Sequence, residues 1–352
     1  SISIGEGIYK TMDAGRTWKR MGLEQTRNIH RVIIDPTNPN TVYAGAIGNP
    51  YGQSKNRGVF KTTDGGKTWT NTSANIAKAG IAPQSWISSI EPSRFDKQTV
   101  YATFENHMYG DHKTYSAVSR DMGATWTMFS SSEFSGFAHK IKEDLVNKDL
   151  LFLGTEMGLF ASVDAGKNWF RMKNNIPWYG LVRDIQIHPQ THDLILGTHG
   201  RGIIIVDDIR PMRTLTSSIA QQDLHIFPQP DMSLQMGKIG SGAAPITGGW
   251  VSGNAPSITP IQYYLKDRAN GEIKVLIKDA DGKLVQEIPG GKRKGLNRIF
   301  WNLRMTPSKV ASGGTKVDYA ALNAPQVLPG KYSIERSEER RVGKECLRLC
   351  RS

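Results

Sequence analysis

Short apolar runs alternate along the chain with clusters of turn-forming residues, and the order of the runs repeats. Gly7-Ile8-Tyr9-Lys10 and Thr17-Trp18-Lys19-Arg20 flank a first turn. A complete unit follows: Arg31 to Pro36, Thr41-Val42-Tyr43-Ala44-Gly45, Gly58-Val59-Phe60-Lys61 and Thr68-Trp69-Thr70. The same four-part phrase returns from Ser89 to Met128 and from His139 to Phe170. A last unit, Val182 to Asp208, keeps three of the four parts. Each run is short, rich in β-branched and aromatic residues, and bounded by Gly, Pro, Asn or Asp, which predicts strands joined by turns. Repetition at roughly 40–50 residues predicts an array of small sheets.

One phrase punctuates the array. Thr62-Thr63-Asp64-Gly65-Gly66-Lys67-Thr68-Trp69 recurs as Thr11 to Trp18, Ser119 to Trp126 and Ser162 to Trp169. Its aspartates, Asp13, Asp64, Asp121 and Asp164, stand 51, 57 and 43 residues apart. An Asp in a tight turn accepts hydrogen bonds from nearby backbone N–H groups. The Gly two positions on supplies a positive φ. Trp18, Trp69, Trp126 and Trp169 offer apolar faces for packing between repeats. These residues resemble the Asp-box, or BNR, repeat of sialidases, sortilin-type receptors and xyloglucanases. The resemblance implies a β-propeller in which the boxes are structural and lie away from the ligand face. In the last unit Asp207-Asp208 stands where the box would be, as expected of an atypical closing blade.

Beyond residue 210 the pattern changes. Residues 211–260 read as a linker or loose connection, with a Gly/Ser/Ala/Pro-rich stretch from Gly237 to Pro260. Strand patterns resume over 261–335, where Asp281-Gly282 marks a hairpin. Gly295-Leu296-Asn297-Arg298 to Arg304 and Pro329-Gly330-Lys331-Tyr332 resemble an FlgD-type immunoglobulin-like accessory domain, here with too few strands. Residues 336–352 resemble translated sequencing-adaptor readthrough and are expected to be a non-native tail; a short basic binding tail is the competing reading. The chain opens inside a repeat without an initiator Met, so upstream blades and any signal peptide are expected to lie outside it. The fold class expected is thus all-β: a partial propeller over 1–210 and a truncated sandwich over 261–335. The whole pattern over about 5–335, including Gly197 to Asp208, resembles bacterial sortilin N-terminal-like or BNR-repeat glycosyl hydrolase proteins. That resemblance implies a periplasmic or secreted location.

Composition narrows the chemistry. The net charge is +13, but no compact basic stripe interleaves with aromatics, which argues against nucleic acid. No apolar run has the length of a membrane span. The two cysteines, Cys346 and Cys350, both fall in the final segment, so residues 1–345 hold no disulfide and no thiolate metal site. His107 with His112 and His188 with His192 lie on turns, and Asp279 to Gly282 lacks the later ligands of a calcium loop. Neither a metal nor a cofactor is expected.

Ligand chemistry is expected where inner strands begin. Glu105 and Asp184 are the candidate pair for glycoside hydrolysis, which needs two carboxylates across the scissile bond. The plainer reading makes Glu105 a solvated loop residue and Asp184 a salt-bridged strand residue. Arg31, Trp86, His107, Trp178 and Arg183 are the candidate binding residues, the tryptophans for stacking on sugar rings. The expected role is a binding or assembly module for a glycan or a peptide; the alternative is a glycoside hydrolase resembling xyloglucanases.

Overall fold

The protein is described by a computed structural model covering residues 5–82, 85–173, 176–177, 179–229, 231–234, 258–307, 324–338 and 341–351. It divides into two units, residues 1–214 and 215–352.

The first unit is a succession of antiparallel meanders. β1 (Tyr9–Lys10) and β2 (Lys19–Arg20) form a two-stranded piece. The first four-stranded sheet comprises β3 (Ile29–Asp35), β4 (Asn38–Ala46), β5 (Gly58–Thr62) and β6 (Thr70–Asn71), and a short helix α1 (Ser73–Lys78) follows. The second comprises β7 (Trp86–Pro92), β8 (Val100–Asn106), β9 (Asp111–Ser119) and β10 (Thr127–Met128). The third comprises β11 (Ala138–Glu143), β12 (Leu151–Thr155), β13 (Gly158–Ser162) and β14 (Phe170–Arg171). β15 (Leu181–Ile187), β16 (Leu194–His199) and β17 (Ile203–Val206) form a three-stranded last sheet, after which α2 (Arg210–Thr214) ends the unit. This is the partial β-propeller that the strand phrases predict.

The sheets pack face to face through their inner strands, β3 on β7, β7 on β11 and β11 on β15. Apolar side chains on alternate positions supply the joints. Tyr43 and Val59 meet Ile87 and Ile90 at the first joint, and Tyr101 and Val118 meet Ile141 at the second. Trp169 packs on Phe129, ring centroids 5.4 Å apart, and so ties one blade's box to the preceding blade. Trp126 and Trp169 are buried, Trp69 is half-buried and donates through Nε1 to the Met21 carbonyl of the two-stranded piece at 2.6 Å, and Trp18 of that piece is exposed, so the packing expected of the box tryptophans holds where a piece of a preceding blade is present to receive them.

Each box is a closed hydrogen-bond network. In the second box the Thr62 hydroxyl donates to Asp64 Oδ1 at 2.7 Å and accepts from the Gly66 N–H. The Thr68 N–H donates to Asp64 Oδ1 and the Thr68 hydroxyl to Oδ2. The first and third boxes repeat these bonds around Asp13 and Asp121, and in the fourth the Asn168 amide donates to Asp164 Oδ2 in place of a threonine hydroxyl. The turn takes two consecutive left-handed residues: Ala14, Gly65, Met122 and Ala165, with φ between 56° and 76°, precede the recurring glycines Gly15, Gly66, Gly123 and Gly166. Three of those four are not glycine, and the aspartate's hydrogen bonds offset their backbone strain. Replacing Asp164 with Ala strands several of these donors and is expected to lower stability by about 1–3 kcal/mol, measured by guanidinium unfolding.

The Thr17 hydroxyl and N–H pull the Asp13 carboxyl down from 3.8 to about 2. Asp64 and Asp121 are likewise lowered, first by the hydroxyls of Thr68 and Thr125. A depressed folded pKa adds stability above the unfolded value that is lost as pH falls through the folded one. The box contribution is therefore expected to persist at pH 4 and to disappear between 3.8 and about 2, checked by circular dichroism melts across that range.

The second unit begins with a helix α3 (Ser217–Ala220), capped by the Thr216 hydroxyl, and strands β18 (Leu224–Ile226) and β19 (Met232–Leu234). These elements stand in the stretch expected to be a linker; most of its Gly-rich portion lies outside the described residues. β20 (Thr259–Leu265), β21 (Ile273–Lys278), β22 (Leu284–Pro289), β23 (Gly295–Trp301), β24 (Gly330–Glu338) and β25 (Arg341–Arg351) complete two sheets, ordered β18-β20-β23 and β19-β25-β24-β21-β22. Ile261, Tyr263, Val275, Ile277, Trp301 and Ile334 form the core between them. Asp279 Oδ1 accepts from the Asp281 and Lys283 N–H groups, so this acidic turn closes the β21–β22 hairpin. Residues 341–351, where no strand pattern was legible, pair with β24 over nine positions. An open strand edge presents a row of unpaired donors and acceptors, which a following extended segment satisfies without a side-chain pattern of its own.

Candidate functional site

The inner strands share a defect in the same place. The pairing of each with its neighbour slips by one residue near its start, at His30 in β3, Ser88 in β7, His139 in β11 and Arg183 in β15. Such a bulge bends the strand and re-aims side chains around it. It also gives a common register for the four sheets. Ile29, Ile87, Ala138 and Val182 pair with Ala46, Phe104, Thr155 and Thr198. One step toward the mouth, Asn28, Trp86, Phe137 and Leu181 share one position, and Ile47, Glu105, Glu156 and His199 share another.

Three successive blades thereby build one cluster. Trp86 pairs with Glu105 across β7 and β8. The Arg57 guanidinium lies over the Trp86 ring, 5.6 Å from its centroid, and donates to the carbonyls of Ile47, Asn49 and Gly52. His107 meets Trp86 edge-on at 6.3 Å and stacks on Phe137 at 4.6 Å. Phe137 is T-shaped against His139 at 4.9 Å. His139 Nε2 lies 3.1 Å from Glu156 Oε2. The order Arg57, Trp86, His107, Phe137, His139, Glu156 is a continuous chain of ring and ion contacts.

Its polar atoms are under-satisfied. His107 Nδ1 stands 3.3 Å from Glu105 Oε2, a long contact that becomes an ion pair when the ring is protonated. Both atoms, with Trp86 Nε1, Asn106 Oδ1 and Arg31 Nε, are buried without a hydrogen-bond partner. Burial pushes the Glu105 carboxyl up, against the downward pull of His107 and Arg183, and the Glu156 charge pushes it further. Burial lowers His139, with the Glu156 hydrogen bond opposing and Arg183 reinforcing. Burial, Arg31 and Arg183 lower His30. Deeper along the same strands, Glu91 pairs with Lys142 and lies 3.6 Å from Lys140.

The candidate residues are thus sorted. Glu105, Trp86 and His107 stand together. Arg183 is exposed on its bulge, and its charge reaches Glu105, His30 and His139. Arg31 follows the β3 bulge and bears on Lys140. The carboxylate pressing on Glu105 is Glu156. Asp184 accepts instead from the Ile185 N–H and the Gln186 amide, and its field bears on Lys140. Trp178 lies outside the described residues. Glu156, Phe137 and Arg57 were not singled out from the sequence; aligning the blades on their second strands finds Glu156, since it stands one step past β12 as Glu105 does past Phe104.

Of the histidine pairs, His107 and His112 both lie against Phe137, while His188 and His192 serve other ends. His188 Nδ1 accepts from the Gln190 and Thr191 N–H groups in a turn, and His192 meets Arg213 at 2.9 Å. Among the described residues no three His, Cys, Asp or Glu side chains converge on a metal position, and no helix is long and apolar enough to cross a membrane.

No family model matches the chain. Over 219 residues it is 27% identical to an oligoxyloglucan-reducing end-specific xyloglucanase of Emericella nidulans, a match covering 57% of this chain and 24% of that protein. The chain therefore spans about a quarter of that relative's length. Among solved structures it is similar to an ancestral GH74 enzyme (TM-score 0.44, 15% identity, 81% of this chain and 36% of that one). It is also similar to a Niastella koreensis GH74 enzyme (0.44, 12%, 96% and 53%) and to YCF48 from Cyanidioschyzon merolae (0.35, 13%, 54% and 59%).

Proposed function

We propose that the mouth of the β7 and β11 blades is a glycan-binding site of an extracytoplasmic protein. The observation that carries this reading is the group of buried polar atoms beside an aromatic ring, Trp86 Nε1 and Asn106 Oδ1 without a hydrogen bond and the Glu105–His107 pair held only at 3.3 Å. Sugars offer hydroxyls that both donate and accept, together with an apolar ring face; the site asks for both kinds of contact. The xyloglucanase relative makes a β-glucan backbone the first ligand to try.

Titration calorimetry of the full chain against xyloglucan oligosaccharides, cellohexaose and sialyllactose tests the proposal. Binding is expected to a β-glucan ligand and to weaken at least about tenfold in Trp86→Ala, the loss of one well-formed stacking contact. Absence of binding across the panel, or unchanged affinity in the variant, counts against it.

The raised Glu105 carboxyl with Glu156 nearby favours a second reading, glycoside hydrolysis. There Glu105 keeps its proton as general acid, and a second carboxylate serves as base or nucleophile. Released reducing ends that vanish in both Glu105→Gln and Glu156→Gln support hydrolysis at this site. Turnover surviving both changes rejects it. The original pair of Glu105 with Asp184 is tested by including Asp184→Asn in the same assay.

A further inference from the structure

One recurring position seals the outer part of the joint between successive blades. Three residues past each box tryptophan stand Met21, Thr72, Phe129 and Met172, and each donates its N–H to a carbonyl of its own blade, that of Ile8, Val59, Ser116 or Leu159. The side chain at this position faces the box glycine of the next blade. A Cβ on Gly66 would stand 3.2 Å from Met21 Cβ, and one on Gly166 would stand 2.2 Å from the Phe129 ring. Met21 and Phe129 are thus the large apolar fillers of their joints, packed as an interior requires. Between the first and second four-stranded sheets the same position is Thr72. A Cβ on Gly123 meets nothing nearer than the Thr72 methyl group, at 3.5 Å.

A cavity of about 390 Å³ opens beside Thr72, walled by β5, β6 and α1 on one side and by the box turn 121–124 on the other. Hydroxyls, amides and one ammonium line it where an apolar filler stands in the neighbouring joints. The Lys61 ammonium donates to the Met122 carbonyl at 3.1 Å, which leaves two of its three protons, and no carboxylate pairs with it among the described residues. Burial lowers its pKa, with Asp121 opposing. Asp121 itself is committed to its box, accepting from the Ser119 and Thr125 hydroxyls and the Thr125 N–H. Asn75 reaches the Gly123 carbonyl with one N–H, at 3.4 Å, and keeps the other. Thr63 and Thr70 are exposed on the same wall, and their hydroxyls bond to no protein group among the described residues. Lys10 holds the register of Lys61 one blade earlier, and its ammonium lies 3.7 Å from where a Cβ on Gly65 would stand. A lysine therefore reaches the next box turn in both joints; Met21 fills the space beside the first, and the space beside the second is open.

We propose that this cavity is a second ligand site of the first unit, and that it takes a small hydroxylated carboxylate of the size of a hexuronate. Its volume falls in the range of roughly 300–1,000 Å³ typical of small-molecule sites and exceeds what a bare oxyanion needs. The two remaining Lys61 protons make charge-assisted bonds to the carboxylate, which are stronger than neutral ones. Thr63, Thr70 and Asn75 present donors and acceptors to the ligand's hydroxyls. No aromatic ring lines the cavity, so affinity rests on charge and hydrogen bonding, and a neutral sugar is a poor ligand. The site is separate from the mouth: β5 runs from Gly58, paired with Ala46 at the mouth, to Thr62 at the box. It does not depend on the glycan reading of the mouth cluster.

Titration calorimetry of the full chain with glucuronate, glucose, acetate and inorganic phosphate tests the proposal, using two variants. Thr72→Met restores the filler that Met21 supplies one blade earlier and closes the cavity without changing charge. Lys61→Met removes the ammonium and keeps the length of the side chain. The wild type is expected to bind glucuronate, and to bind glucose, acetate and phosphate at least about tenfold more weakly, since each lacks either the carboxylate or the hydroxyls. Each variant is expected to weaken glucuronate binding at least about tenfold, with the melt of Thr72→Met no lower than that of the wild type. Circular dichroism verifies both folds, and Lys61→Met alone decides if Thr72→Met does not fold. Both positions lie at the box end of the blade, so loss in these variants separates this site from the mouth. A wild type that does not bind glucuronate, undiminished binding in a folded variant, or equal binding of glucose, acetate or phosphate overturns the proposal.

Discussion

Arg213→Ala is expected to cost about 3–5 kcal/mol of stability, the largest effect of any single substitution considered for the first unit. The Arg213 guanidinium sits on α2 and grips the fully buried Asp144 with two parallel bonds, Nε to Oδ2 and the second nitrogen to Oδ1, both 2.8 Å. The same carboxylate accepts from the Val146 and Asn147 N–H groups, and the Asn147 amide donates back to the Arg213 carbonyl. Removing the cation leaves a carboxylate in a dry site with no counter-charge. At 2–4 °C per kcal/mol for a unit of this size, the melt is expected to fall by roughly 10 °C. In the double variant Asp144→Asn/Arg213→Met the charge is gone from both sides, and most of the loss is expected to be recovered. A single variant as stable as the wild type would mean that α2 is not fastened here. His192 adds a pH signature. Burial first, then Arg213 and Arg210, hold its pKa below 6.5. The unfolded chain therefore binds its proton more readily, so this group makes stability fall as pH drops through 6.5, and the slope is expected to shrink in Arg213→Ala.

Gly154→Ala is expected to cost about 2–3 kcal/mol, a large effect for one methyl group. A Cβ there would stand 2.7 Å from the Val182 carbonyl oxygen and 2.8 Å from its Cγ1, where β15 crosses close to β12. The obstruction is backbone, so relief requires the two sheets to part. The control is built into the fold. Gly197 holds the same register position in the last sheet of the first unit, and among the described residues a Cβ there meets nothing closer than 3.5 Å. Gly197→Ala is expected to change stability by no more than about 0.5 kcal/mol. Equal unfolding midpoints for the two variants would refute the idea that the joint itself excludes the methyl group. In the second sheet Thr103 occupies this position and keeps its side chain because its hydroxyl is bonded, to Ser88 at 2.9 Å and to the His139 carbonyl at 3.3 Å.

The architecture was legible because it is local and repeated. Alternating strands and a turn network whose members lie within eight residues of one another declare themselves in every copy. The site was legible only in part, because it is built across copies. Glu105, Trp86 and His107 stood out as polar or aromatic residues at a loop. Their neighbours Phe137, His139 and Glu156 come from the following blade, and nothing in the local chemistry of Glu156 distinguishes it from a surface residue. The expected pairing of Glu105 with Asp184 rested on both being acidic and near the starts or ends of strands. The bulge alters which positions face one another, and an alternation read straight through His139 or Arg183 assigns the later residues to the wrong face. β25 was missed for a different reason, since its pairing follows from the free edge of β24 and not from its own composition.

The recurrent bulge also separates two kinds of evolutionary freedom. On an unbroken strand, one register serves the whole length, so a change that re-aims the mouth residues would re-aim the joint residues too. With one extra residue between them, the two halves of each inner strand are set independently. His30, Ser88, His139 and Arg183 differ in size, charge and hydrogen bonding, yet Ile90, Ile141 and Ile185 beyond them make the same kind of joint. The array can exchange the chemistry of its mouth blade by blade while its packing code stays constant, so selection for a new ligand need not be selection against the fold.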